Sequence, residues 1–257
     1  MKISDKAAGL AKKILPILFW LLLWEIIALA VNKRVILVTP VQTLERLLEL
    51  ILDGSFVSAS AFSAWRIALG FLGGFTLGII LAVLSFVFPA AKSLISPLMS
   101  VIKAVPVVSF VILALFWMSS RYLSVLVSFL MVLPIIYFNV LEGLCTTDKG
   151  LLEMAQVFRM KKSVKARYIY LPSVMPHLIS ACRTALGVCW KSGTAAEVIG
   201  QPDGSVGDML YRAKIYLETA DLFAWTVVII ILSKLFELLF MRLLKLIYKK
   251  SQLIKEK

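Results

Sequence analysis

The sequence predicts an all-α integral membrane protein with six transmembrane helices. Hydrophobic residues make up 60% of its 257 residues and charged residues 17%, against about 45–50% and about 25% in soluble domains. Six apolar segments are long enough to cross a bilayer as helices, which takes about 20 residues each. They are residues 14–31, 64–88, 98–118, 122–144, 174–190 and 222–240. The longest basic interruption, 151–176, lies between two of them and is expected to protrude from the membrane.

The first apolar segment, 14–31, has the apolar run of a signal peptide. No small-residue cleavage site follows it, which favours a retained first helix. After it, Thr39 and Pro40 begin a predicted amphipathic helix that lies on the membrane surface or packs on the bundle, with a gate element as the alternative. Its predicted apolar face comprises Leu44, Leu47, Leu48, Ile51 and Leu52, and its polar face Glu45, Arg46 and Glu49.

The second and third segments contain residues with special backbone properties. Gly70, Gly74 and Gly78 recur every four residues, a pattern that lets helix backbones approach closely. Pro106 lies inside segment 98–118 and predicts a kink. Lys103 precedes it and either extends to the inner interface or lines a path through the membrane.

The basic stretch predicts a helix–turn–helix at 146–172. Thr146, Thr147 and Asp148 are suitable N-cap residues. The pattern breaks near residues 160–162, restarts at Ser163, and ends at 171–172 because the residue before a proline disfavours helix.

Charge predicts the topology. The net charge is +13, and lysine and arginine are densest at the N-terminus, in the 146–172 loop and in the C-terminal tail. Positive residues prefer the cytoplasmic side, and six spans put all three regions on one side, so both termini are expected in the cytoplasm. The basic residues lie at segment ends and form no aromatic-interleaved patch, which argues against nucleic acid as a partner.

The sequence contains no convincing catalytic or metal-binding arrangement. There is no GxxxxGK[ST] phosphate loop, and His177, as the single histidine, excludes HExxH. The three cysteines, Cys145, Cys182 and Cys189, form no CxxC pair and are expected to be free thiols. We therefore expect no enzyme activity, no metal and no directly bound cofactor.

The 146–172 loop resembles the EAA loop of ABC importer permease subunits. Glu153, Ala155, Ile169, Leu171 and Pro172 stand at the spacing of that motif, whereas Arg159 occupies its glycine position. The chain is similar to the nitrate, sulfonate, taurine and thiamine-precursor branch over nearly its whole length. Further matching positions are Trp24, Glu25, Arg66, Gly70, Val105, Pro106, Trp117, Arg183, Ala185, Leu186, Gly187, Trp190, Ala196, Glu197, Gly204, Ser205, Val206 and Gly207.

The resemblance implies a permease of the bacterial inner membrane, expected to be a homodimer. A separate subunit would hydrolyse ATP, and an external binding protein would deliver the solute. The coupling loop would dock on the ATPase through Glu153, Ala155, Arg159, Met160, Ile169, Leu171 and Pro172. By itself, Glu153 also fits an ordinary first-turn acid favoured by the helix dipole.

Six residues are candidates for the substrate path: Lys103, Pro106, Arg183, Trp190, Lys191 and Glu197. Their cations favour an anionic solute, although Lys191 also fits an ion pair with Glu197 or an anchor at the outer interface. The predicted domains are 1–57 (tail, first span and connector), 58–243 (permease core) and 244–257 (basic tail). An ion-gradient transporter and a membrane scaffold are the alternatives. The first predicts inverted repeats with intramembrane acids, and the second needs no docking loop.

Overall fold

The computed structural model describes residues 2–253, with side chains described for residues 14–249. Within that part of the chain all regular elements are helical. The lysines of the first 13 residues and those beyond residue 249 lie outside the described side chains. The cytoplasmic position of both tails therefore stays a sequence-based expectation.

The helices follow one another with short connections. They are α1 (Lys2–Val31), α2 (Pro40–Leu52), α3 (Gly54–Val87), α4 (Pro89–Ala104), α5 (Val107–Leu115), α6 (Leu123–Cys145), α7 (Lys149–Val157), α8 (Lys162–Lys165), α9 (Leu171–Gly200), α10 (Val206–Ile215) and α11 (Thr219–Leu253). A 3₁₀ turn at Ser120–Tyr122 precedes α6, and a π-helical turn at Ala166–Tyr170 joins α8 to α9.

Among the described residues, three helical segments are long and apolar enough to cross a membrane: Ile14–Val31, Gly54–Val87 and Ser120–Cys145. Helices α4 and α5 pass the same test as a pair and make a fourth span if they are one broken span. The predicted fifth and sixth spans fall within α9 and α11, which are 30 and 35 residues long but are not among these candidates. The all-helical membrane class is therefore observed, and the number of six spans stays a prediction.

The kink predicted at Pro106 is instead a complete break. Helix α4 ends at Ala104, α5 begins at Val107, and the two helices are bent by 96°. Val105 and Pro106 are both extended, with ψ of 131° and 134°. The residue before a proline avoids the helical region, and proline has no N–H to donate. Segment 98–118 is therefore two helices and not one kinked helix.

Helix α2 begins as predicted, but its buried face differs. Thr39 is the N-cap and forms a capping box with Gln42. The buried residues are Thr43, Leu47 and Leu50, whereas four of the five residues assigned to the apolar face are exposed: Leu44, Leu48, Ile51 and Leu52. The polar face is partly engaged, because Arg46 pairs with Asp221 and Glu49. These carboxylates raise the pKa of the Arg46 guanidinium above its usual range.

The chain divides into two compact units. One comprises the described residues up to Ser58 together with Met209–Val228, and the other comprises Ala59–Asp208 and the described residues from Ile229 onwards. In the first unit, the Trp24 indole donates to the Val38 carbonyl across 3.0 Å and stacks on Phe223 at 5.4 Å.

In the second unit, the glycines of α3 pack directly against α6. A Cβ on Gly70, Gly74 or Gly78 would lie 2.4–2.9 Å from atoms of α6, closer than van der Waals contact allows. On a neighbouring face, Phe71 meets Phe240 edge-on at 4.8 Å. The predicted close helix approach is therefore observed, and it holds α3 tightly on the α6–α9 core.

Candidate functional site

Hydrogen bonds connect the two ends of the 146–172 loop where it leaves and re-enters the helical bundle. The Thr147 hydroxyl donates to the Gly143 carbonyl (3.3 Å) and to Ser173 Oγ (3.2 Å), and the Ser173 hydroxyl donates to the same carbonyl (3.0 Å). Gly143 packs so closely against the start of α9 that a Cβ on it would be 3.0 Å from Val174 Cα. The end of α6 and the start of α9 are thus joined beneath the loop.

Helix α7 begins and ends with defined caps. Asp148 Oδ1 accepts from the Gly150 amide at 2.7 Å, as the predicted N-cap. At the other end, the Met160 amide donates to the Ala155 carbonyl (2.9 Å) and the Arg159 amide to the Gln156 carbonyl (3.0 Å). This pair of bonds is the Schellman motif.

Arg159 adopts the backbone conformation that glycine adopts most easily. Its φ is +48°, in the left-handed region, which costs a residue with a Cβ about 1–2 kcal/mol. The tight turn is therefore formed even though Arg159 stands at the glycine position of the EAA pattern.

The second half of the loop differs from the prediction. Helix α8 begins at Lys162 after Lys161, which makes no side-chain cap bond, so Ser163 is not the N-cap. The helical path does not end at Leu171 and Pro172 but continues through the π turn into α9. The Leu171 amide donates to the Ala166 carbonyl, five residues back. This wider turn accommodates Pro172, which cannot donate and would clash in a regular α-helix.

Helix α7 divides its side chains between the protein and its surroundings. Ala155 is buried, and so is Ile169 in the π turn, whereas Glu153 is exposed. Four apolar side chains of this otherwise basic loop are also exposed: Leu151, Met154, Val157 and Phe158. Val157 is 79% and Phe158 73% exposed. We call these four residues the α7 apolar face.

Val157 and Phe158 were not among the sequence-predicted docking residues. A signal was available, because apolar residues at 151, 154 and 158 recur with helical spacing. An exposed apolar cluster on a protruding helix indicates a contact surface for another protein.

Helix α9 has one packed face and one open face. The packed face, including Cys182, Leu186 and Cys189, is buried in the core formed with α6. The open face consists of small and polar residues, which are Ser180, Arg183, Thr184, Gly187 and Lys191. We call it the α9 polar face. Arg183 and Lys191 are separated by about 12 Å along the helix, since each residue rises about 1.5 Å.

The predicted path residues fall into three groups. Arg183 and Lys191 lie together on the α9 polar face, and Lys103 and Pro106 are exposed beside the break between α4 and α5. The other two are buried: Trp190 is 2% exposed and packs near Phe236 at 6.2 Å, and Glu197 is 0% exposed.

Glu197 is bonded to groups other than Lys191. Its Oε2 accepts from the Ser63 hydroxyl (2.6 Å) and the Gly207 amide (3.3 Å), while the Val206 amide donates to Ser63 Oγ (2.9 Å). A Cβ on Gly207 would lie 2.3 Å from Glu197 Cβ. Glu197 and Ser63 therefore hold the first turn of α10 against α9, and Lys191 is left exposed on the other face.

Nothing in the described residues resembles a metal site, because they contain no group of three or more His, Cys, Asp or Glu side chains suited to hold an ion. Cys182 and Cys189 are buried free thiols, as expected from their positions on α9, and Cys145 is an exposed one.

Known proteins resemble this chain in both sequence and fold. The family model described as "Binding-protein-dependent transport system inner membrane component" matches residues 74–252. A Bacillus subtilis protein named as an aliphatic sulfonates transport permease is 29% identical over 226 residues, 87% of this chain and 81% of the relative.

Two further relatives are similar over comparable lengths. The taurine transport system permease protein of Escherichia coli is 25% identical over 84% of this chain and 80% of its own length. The bicarbonate transport system permease protein of Synechococcus elongatus is 25% identical over 82% of this chain and 80% of its own length.

Among solved structures, a chain from the crystal structure of an amino acid ABC transporter with histidines matches with a TM-score of 0.54 and 20% identity. The match covers 76% of this chain and 94% of that one. At 20% identity, this similarity shows a shared fold alone.

Proposed function

Because the chain belongs to the family of binding-protein-dependent transport system inner membrane components, we propose that its α9 polar face lines the path of a small anionic solute. As a permease component of an ABC importer it is not itself an enzyme, and its partners are an ATP-binding subunit and a substrate-binding protein. This family membership sets aside the ion-gradient transporter and the membrane scaffold.

We further propose that the ATP-binding subunit docks on the α7 apolar face. The observation that carries this proposal is the exposure of Val157 and Phe158 beside the Schellman turn. Buried Ala155 allows α7 to lie close to the bundle, and exposed Glu153 remains free to contact a partner. A push on α7 would be transmitted through the turn and the continuous helical path from Lys162 into α9.

The anionic solute is supported by the placement of Arg183 and Lys191. Charged side chains in a spanning helix face a bundle interior or a water-filled cavity, because exposure to lipid is costly. Two cations on one face would attract an anion in such a cavity. Three relatives are named for the transport of aliphatic sulfonates, taurine and bicarbonate, and each of these solutes contains an anionic group.

Six spans fit the lengths of the two remaining helices, and an even number of spans keeps both termini and the 146–172 loop on the cytoplasmic side that their basic residues favour. At about 1.5 Å per residue, α9 is about 45 Å long and α11 about 52 Å, more than the bilayer core of about 30 Å. The α9 polar face lowers the mean hydropathy of its segment, so hydropathy underestimates this span. We propose a homodimer in which a second copy of the chain faces α9 and shields Arg183 and Lys191 from lipid.

Photocrosslinking tests the docking proposal. A photoreactive phenylalanine analogue at position 158 should form an adduct with the ATP-binding subunit in the assembled importer. The matched control is the same analogue at Phe116, which is 79% exposed at the end of α5. An adduct at 116 but none at 158 would contradict the proposal.

Cysteine labelling tests the topology. In a variant with its three cysteines replaced by serine, Asp203→Cys should react with a membrane-impermeant thiol reagent from outside the cell, and Glu153→Cys should not. Reaction of position 153 from outside would place the loop on the wrong side for an ATP-binding subunit.

A further inference from the structure

An apolar cavity of about 580 Å³ lies beside the base of the 146–172 loop. It is lined by the last turns of α3 and α6 on two sides and by the π turn with the start of α9 on the third, through residues such as Val83, Val87, Leu144 and Tyr170. Its volume is within the range of about 300–1,000 Å³ found for ligand pockets. The α3 side runs from Val87 to Ile79, about 12 Å along that helix.

The mouth of this cavity is positively charged. Lys162 and Lys165, three residues apart on one helical face, are the charged residues among its lining. Lys165 Nζ lies 5.6 Å from the centre of the Tyr170 ring, and Phe86 meets that ring edge-on at 5.3 Å. Neither lysine forms a salt bridge within the described part of the chain, and no acidic residue lines the cavity.

We propose that this cavity binds an anionic phospholipid, with an acyl chain along its apolar interior and the phosphate between Lys162 and Lys165. The proposal rests on the cytoplasmic orientation argued under the proposed function, because that side places the lysines at the headgroups of the anionic leaflet. A basic pocket between transmembrane helices on the cytoplasmic side matches anionic headgroups in charge.

Two other occupants fit less well. A small polar anion would find no side-chain hydrogen-bonding partner beyond the two lysines and the phenol of Tyr170, because the remaining lining is apolar. A second copy of this chain would have to bring a negative charge to a basic mouth, whereas the chain has a net charge of +13.

The position of the cavity gives the lipid an effect on coupling. Ala166, Tyr170 and Leu171 line it, and they belong to the π turn and first residue of α9 that connect the docking loop to the membrane helix. A bound lipid therefore stiffens the segment through which motion of α7 would reach α9.

Lipid retention by the purified importer tests the proposal. The complex is incubated with phosphatidylglycerol or with phosphatidylcholine, and bound lipid is measured by native mass spectrometry without ATP. Lys162→Gln with Lys165→Gln should lower the affinity for phosphatidylglycerol about tenfold or more, with little effect on phosphatidylcholine. The matched control is Lys149→Gln with Lys161→Gln, which removes two charges from the same loop outside the cavity and should leave retention unchanged.

A second variant tests the apolar half of the site. Val83→Trp should fill the cavity and reduce phosphatidylglycerol retention with both lysines intact. Retention equal to wild type in both variants would overturn the proposal, as would equal losses in the control pair. A changed oligomeric state of Val83→Trp with unchanged lipid retention would assign the cavity to a second copy instead. Lipid retention is measured without ATP and does not depend on transport. The result can therefore be interpreted even if the tests of ATPase docking or of the solute path fail.

Discussion

The Met160 amide donates to the Ala155 carbonyl across 2.9 Å, closing the turn that ends helix α7. The bond is possible because Arg159, between them in the turn, has a φ of +48°. The α7 apolar face and the helical path into α9 are therefore joined by a short, hydrogen-bonded corner. This corner makes the orientation of α7 relative to α8 a defined property of the fold.

Arg159→Gly should stabilise the turn. Glycine avoids the Cβ strain of the left-handed conformation, so we expect a gain of about 0.5–1 kcal/mol after its larger loss of backbone entropy. Thermal unfolding of the purified protein measures the effect. Gln156→Gly, in the helical turn just before, is the control and should cost about 1 kcal/mol. Destabilisation by Arg159→Gly would show that the arginine side chain contributes more than its backbone strain costs.

Phe158→Ala should weaken binding of the ATP-binding subunit. Truncation of a central aromatic residue in a protein interface typically costs about 2 kcal/mol or more, a loss of about thirtyfold in affinity. Co-purification at graded concentrations of the subunit measures it, with Phe116→Ala as the matched control. Unchanged affinity in Phe158→Ala would exclude the α7 apolar face as the docking surface.

Gly74→Ala should loosen the contact between α3 and α6. The added Cβ would lie 2.8 Å from the Phe129 carbonyl oxygen and 2.9 Å from Val132 Cβ, and overpacking of this kind costs about 1–3 kcal/mol. Gly187→Ala is the control, since nothing lies within 4 Å of its added Cβ and alanine favours helix by about 1 kcal/mol. Equal stability of the two variants in thermal unfolding would contradict the observed close packing.

Glu197→Ala should destabilise the protein by about 2–4 kcal/mol, because it leaves a cavity and removes the acceptor of the Ser63 and Gly207 bonds. Glu197→Gln keeps an acceptor oxygen and should cost less. The control is Glu142→Ala, which removes an exposed carboxylate on α6 and should change the free energy of unfolding by no more than about 0.5 kcal/mol. Thermal unfolding of the three variants measures these differences. A solute-path role alone predicts lost transport with unchanged stability, and that outcome would contradict the anchoring role.

Sequence reasoning predicted what depends on neighbouring residues. The Asp148 cap, the helix start at Thr39 and the glycine-based packing of α3 follow from short-range chemistry. The break in the loop was predicted near residues 160–162, whereas α7 ends at Val157 and the left-handed residue of its turn is Arg159. The π turn that carries the helix past Pro172 was not predicted either.

Contacts between distant residues explain the remaining differences. On α2, Arg46 of the predicted polar face bonds to Asp221, 175 residues away, a contact that the local pattern does not contain. Glu197 is bonded to Ser63, 134 residues away, and a local pattern could not separate that bond from an ion pair with nearby Lys191. The exposed apolar residues of α7 were visible as a helical repeat, but their exposure depends on the placement of the whole loop.

Arg183→Gln and Lys191→Gln should each reduce uptake of an anionic solute, because each removes a positive charge from the α9 polar face. If the anion passes both positions, the double variant should lose about tenfold or more in uptake, since a charge at a partly solvated site contributes about 1 kcal/mol or more. Uptake of radiolabelled sulfonate, taurine or bicarbonate into vesicles with the cognate binding protein measures it. The control is Lys92→Gln, at an exposed position near the start of α4.

The solute for this experiment is chosen by measuring which of the three the binding protein binds. Uptake unchanged in the double variant, with a solute that the binding protein holds, would remove the α9 polar face from the path, whereas the docking of α7 would stand on its own test.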